Sequence, residues 1–154
     1  MSKQLLASVI GASALLAGCT AFQPETYGCN DKLTAPADGA RVVLRTLDND
    51  KTADVRFNGV QAICEDIDGG VRMAIDAGLV VSRDKEDAFE ITFAEVPLLL
   101  ALLDQNDAPV GHESLSYRVA FDEGRTKLYP VAELEVVIPS GGRAVISLAP
   151  SVVR

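Results

Sequence analysis

Chemistry in this chain could come from three thiols, one imidazole and a few groups of carboxylates. Cys19, Cys29 and Cys64 are the only cysteines, and His112, in Gly111-His112-Glu113-Ser114, is the only histidine. A lone imidazole cannot build a histidine-rich zinc site, and no G-x-S-x-G elbow stands elsewhere to supply a serine nucleophile. Glu65-Asp66-Ile67-Asp68-Gly69-Gly70 and Asp48-Asn49-Asp50 offer oxygens to a hard cation such as calcium. An EF-hand loop, however, wants a glycine at its sixth position and a glutamate at its twelfth. Gly70 falls one place early and no glutamate closes the loop, so turn chemistry accounts for these residues better. Glu133 and Glu135 share one face of a strand, where an acid–base pair could sit, but a solvated outer face explains them better. No P-loop, dinucleotide fingerprint or H-E-x-x-H occurs. The expectation is a protein that is not an enzyme, with no catalytic residue, no metal and no cofactor.

An odd number of cysteines calls for one thiol with a separate use. Lys3 is the only charge before Cys19, and Leu5 to Ala17 is an apolar run diluted by small residues. Thirteen residues make a helix of roughly 20 Å, too short for a hydrocarbon core of ~30 Å. A positive start, a short apolar run and small residues at its end describe a secretory signal. Leu16-Ala17-Gly18-Cys19 then resembles the lipobox of bacterial lipoproteins: a branched apolar residue, two small residues and cysteine. The resemblance implies cleavage between Gly18 and Cys19, a diacylglyceryl group on the Cys19 thiol, and a further acyl chain, palmitate for example, on the new amino terminus. One acyl chain binds membranes marginally, whereas two or three anchor stably. In that family an aspartate directly after the lipidated cysteine favours the inner membrane. Thr20 stands there, which implies the outer membrane and its periplasmic face.

The expected organisation is therefore a signal peptide over 1–18, a lipidated tether over 19–28 and a single domain over 29–154. Cleavage would leave 136 residues and, with Lys3 gone, 13 cations against 22 carboxylates. A net charge of −8 for the full chain opposes binding to a phosphate backbone, so nucleic acid is excluded as a partner. Cys29 and Cys64 remain, and an even pair in an oxidising compartment predicts a disulfide.

From Arg41 onward the apolar pattern has period two. Strands are predicted at Arg41–Leu47, at Ala53–Cys64 and over Val71–Val80. Val55 and Phe57 share a face, and after Gly59 the phase moves to Val60, Ala62 and Cys64, which predicts a bulge or bend. Further strands are expected at Phe89–Ala94, at Leu98–Leu103 (as a new strand, a continuation across Pro97, or a short helix), and with Leu115, Tyr117, Val119 and Phe121 on one face. Glu133–Ile138 and Ala144–Leu148 close the set. Asp48-Asn49-Asp50, Asp68-Gly69-Gly70, Asp104–Pro109, Asp122-Glu123-Gly124 and Ser140-Gly141-Gly142 supply turns. Seven or eight short strands predict an all-β fold, an antiparallel immunoglobulin-like β-sandwich, although no Trp is present for such a core.

Cys29, Ala40-Arg41-Val42, Asp54-Val55-Arg56-Phe57, Cys64 and Val137-Ile138-Pro139 together resemble small uncharacterised lipoproteins of alphaproteobacteria. That resemblance implies a β-domain and carries no catalytic residue. The functional expectation is a lipid-anchored outer-membrane lipoprotein whose domain is a non-enzymatic binding or structural module. Its partners would be the membrane, through the lipid on Cys19, and an envelope protein. The alternative is a small-ligand or lipid carrier with a β-barrel cavity. Val96 to Leu103, if at a sheet edge, would be a partner surface; as a central strand it belongs to the core.

Overall fold

A computed structural model of the chain describes residues 24–45, 51–88 and 91–148. The signal and lipobox residues, Thr20, Asp48-Asn49-Asp50 and Phe89 lie outside the described residues. Within them are ten strands. They are β1 (Thr26–Gly28), β2 (Leu33–Thr34), β3 (Arg41–Arg45), β4 (Thr52–Ile67), β5 (Gly70–Arg83), β6 (Phe93–Leu103), β7 (Pro109–Ala120), β8 (Lys127–Leu128), β9 (Val131–Pro139) and β10 (Arg143–Leu148).

β4 and β5 form the long central hairpin, turned by Asp68-Gly69. Their inward residues, among them Val55, Ala62, Cys64, Met73, Ile75 and Leu79, are buried. Alternation is broken once, between Phe57 and Gly59, where the register with β5 shifts by a bulge. Gly59 has φ +153°, a conformation L side chains rarely adopt, so the phase change after it has a backbone cause. β3 and β1 share one flank of β4, and β9 and β8 share the far flank of β5. Gly70 is where β9 comes closest, for a Cβ there would lie 2.5 Å from the carbonyl oxygen of Ile138.

The second sheet runs β2-β10-β6-β7, with β2 parallel to β10 and the other neighbours antiparallel. Its inward residues Val96, Leu98, Leu100 and Ile146 are buried against those of the first sheet. The result is the expected all-β sandwich. Its connectivity departs from the immunoglobulin arrangement, in which the last two strands are neighbours. Here β9 and β10 lie in different sheets.

Two local expectations change, and one choice among alternatives is made. Of the readings offered for Leu98–Leu103, the continuation across Pro97 holds, as the end of one continuous strand. Pro97 pairs with Ser116 of β7 within that strand. Ile91 lies ahead of β6 because its N–H donates to the Asp87 carbonyl and its own carbonyl accepts from Arg83, which removes both from any ladder. Thr26–Gly28, read as the end of the tether, is instead a strand paired with Ile63–Glu65.

Candidate functional site

The N-terminal segment is fastened to β4 at several points. The Cys29 and Cys64 sulfurs are bonded, with Cα atoms 5.8 Å apart and both residues fully buried. The Cys29 N–H donates to the Ala62 carbonyl, and the Ala62 N–H donates to Asn30 Oδ1 at 2.7 Å. Tyr27 Oη donates to Asp66 Oδ1 at 2.8 Å. A phenol giving its proton to a carboxylate resists ionising, and the Tyr27 pKa is raised accordingly. Asn30 was not singled out from the sequence, since its partner lies 32 residues away.

The carboxylates with conceivable chemistry do not converge. Glu65 accepts from Arg72 at 2.8 Å, Asp66 from Tyr27, and Asp68 sits exposed in the β4–β5 turn. Among the described residues no three His, Cys, Asp or Glu side chains gather as a metal site. His112 is exposed on edge strand β7, opposite Ala101 of β6. Glu133 and Glu135 project together from the outer side of β9, opposite Asp76 and Ala74 of β5.

That outer side of the first sheet carries a divided set of charges. Cross-strand registers place Glu65, Asp76, Glu133 and Glu135 on one half of it, with Arg72 among them. Arg72 reaches Glu65 and, at 3.6 Å, Glu135. The other half holds Arg41, Arg45, Arg56 and Lys127 around Asp54, which accepts from Arg41 Nε at 2.7 Å. Between the halves runs the glycine pair Gly59–Gly78 at the bulge. A shallow depression of about 220 Å³ opens there, lined by Asn58, Val60, Gln61, Asp76 and Val131 as well as the two glycines. Ile63 and Val137 in the acidic half are each 52% exposed, Val131 at the waist 51% and Val43 in the basic half 50%.

On the second sheet, β6 is central, as its apolar composition demands. Val96, Leu98 and Leu100 face the core, while Pro97, Leu99 and Ala101 are half-buried on the outer side. Ser116, Ser114 and His112 of β7 stand opposite these three.

At the far end of the hairpin, Arg83 is buried, which the sequence reading missed by ending the strand at Val80. Extending the inward series from Leu79 and Val81 by one more step would have reached it. Its guanidinium donates to the carbonyls of Arg125, Asp122 and Ile91 and lies 4.2 Å above the Phe121 ring. Burial lowers its pKa from the ordinary guanidinium value. Asp87, also buried, accepts from Lys51 at 2.7 Å. These contacts join loops and leave no acid or base aimed into a cleft. Comparison of the chain with protein-family models, curated proteins and solved structures finds no match, so the resemblances above stand on their residues alone.

Proposed function

We propose that this protein is a lipid-anchored lipoprotein of the outer membrane whose periplasm-facing sandwich is a non-enzymatic binding or structural module. The observation that carries the reading is the disposition of three cysteines. Two are consumed in one buried disulfide, a bond typical of exported proteins, and the third closes Leu16-Ala17-Gly18-Cys19. Export is thus indicated twice, by independent residues. β1 begins at Thr26, seven residues after Cys19, so an extended tether spans at most about 25 Å and the sandwich rests close to the headgroups.

A non-enzymatic role is supported by how the polar groups are used. Glu65, Asp66 and Asp87 each have a structural partner, and Arg83 is spent on backbone carbonyls. No observation favours the carrier alternative. The strands form two sheets, and Met73, Ile75, Leu79, Leu98, Leu100 and Ile146 occupy the space between them.

Metabolic labelling with radioactive palmitate, followed by density separation of the two membranes, tests the proposal. Label is expected on the wild-type chain in the outer-membrane fraction and is expected to vanish in Cys19→Ser. Label that persists in Cys19→Ser overturns the anchor, and label confined to the inner membrane overturns the address.

A further inference from the structure

We infer that the outer face of the six-stranded sheet is a docking surface for a second copy of this chain. Half-solvated antiparallel sheets normally present polar residues outward. This face instead carries Val43, Ile63, Val131 and Val137, each at least half exposed, within a divided field of charge. Among the described residues of the face, four carboxylates stand against one guanidinium in the half bearing Glu133, and four cations against one carboxylate in the half bearing Arg56. A chain with a formal charge of −8 repels its own copies in general. It can associate where a positive area meets a negative one, and this face holds both.

The symmetry follows from the charges. A twofold axis lying in the plane of the sheet, across the strands and through the Gly59–Gly78 row, lays each basic half on the partner's acidic half. An axis parallel to the strands would lay acid on acid and base on base. The charge pattern therefore selects the first, and the contact is isologous, as closed dimers require. A different protein would need the same two charged areas at the same spacing, whereas a second copy has them by construction.

The area is sufficient. The sheet is four strands wide, and β4 and β5 stay paired along its length. At ~4.8 Å between strands and ~3.4 Å per residue the face measures roughly 19 by 48 Å. That is about 900 Å² per copy and about 1,800 Å² in total, within the ~1,200–2,000 Å² of stable interfaces. The selected axis also keeps the β1–β3 edges of both copies on one side. Two tethers leaving toward the same plane would suit a shared membrane, but the inference does not depend on the anchor. A monomeric lipoprotein would overturn it and leave the anchor reading intact.

The test is sedimentation of the full chain purified in detergent, with circular dichroism to confirm that each variant is folded. Wild type is expected to dimerise. Arg56→Glu with Lys127→Glu makes both halves acidic, and Glu133→Lys with Glu135→Lys makes both basic. Each double variant alone is expected to lose at least tenfold in dimer affinity, while an equimolar mixture of the two recovers a one-to-one dimer. Salt gives a check without substitutions: wild-type association should weaken toward 1 M, where the Debye length falls to about 3 Å. Three results would each overturn the inference: a wild-type chain monomeric throughout the micromolar range, a dimer indifferent to both reversals and to salt, or reversed variants that do not pair with each other.

Discussion

Arg83 is a buried cation held by dipoles instead of a carboxylate. Its three acceptors are carbonyls of the β5–β6 and β7–β8 connections, so one side chain ties two loops to the end of the central hairpin. Replacing it with methionine keeps the volume but strands those carbonyls without donors. Arg83→Met is expected to cost on the order of 3 kcal/mol in urea denaturation, with Arg83→Lys intermediate because an ammonium cannot span the same fork. A loss below about 1 kcal/mol would show that the loops are held by other contacts. Asp104 works oppositely, on the surface of the β6–β7 turn. Its Oδ1 accepts the backbone N–H groups of Asn106 at 2.8 Å and Ala108 at 2.9 Å, which holds its pKa below the ordinary aspartate value. A depressed carboxyl pKa contributes stability above the unfolded value of about 4 and loses it as pH falls through the folded one. Protection of the Asn106 and Ala108 amides, taken relative to their intrinsic exchange at each pH, should therefore fall on acidification. In Asp104→Asn, which keeps an acceptor but cannot titrate, that loss of protection should disappear.

At the scale of elements, the disulfide fastens the chain immediately after β1 to β4. A three-residue β1 cannot hold its register alone, and Cys29 follows it immediately. Cross-linking residues 35 apart is worth roughly 3–4 kcal/mol in the chain-entropy model. The double substitution Cys29→Ala with Cys64→Ala should lower stability by that amount, read as a shift in the urea midpoint. It should also release β1, read as faster exchange of the Cys29 and Ala62 region amides. A change under 1 kcal/mol would place the fastening in Asn30 and the backbone bonds. Strand existence was legible because alternation is local: β3, β4, β5, β9 and β10 all follow the period-two pattern, and even the bulge announced itself through Gly59. Other features were not legible. β1, β2 and β8, at two or three residues, are too short to show a period and form only because a longer neighbour offers an edge. Pro97 left a break and a continuation both open, and β6 runs through it, with Pro97 opposite Ser116 of β7.

For the whole molecule, composition and periodicity settle the class: an acidic, all-β domain, with one cysteine pair left to bond after Cys19 is set apart. These follow from properties each residue carries with it, namely charge, side-chain period and thiol number. Sheet pairing decides the remainder. It separates β9 from β10 and so departs from the immunoglobulin order. It gives Glu65 and Asp66 to Arg72 and Tyr27 and leaves Asp68 exposed in the turn, so carboxylates adjacent in the chain do not gather. It also gathers Arg56 with Lys127, and Asp76 with Glu133, from strands distant in sequence, dividing one face into two charged halves. Local pattern cannot hold this information, because which strands become neighbours depends on long-range backbone pairing and burial. Adjacency in the chain suggested sites that the fold takes apart, and pairing across the sheet assembled the surface that the linear order concealed.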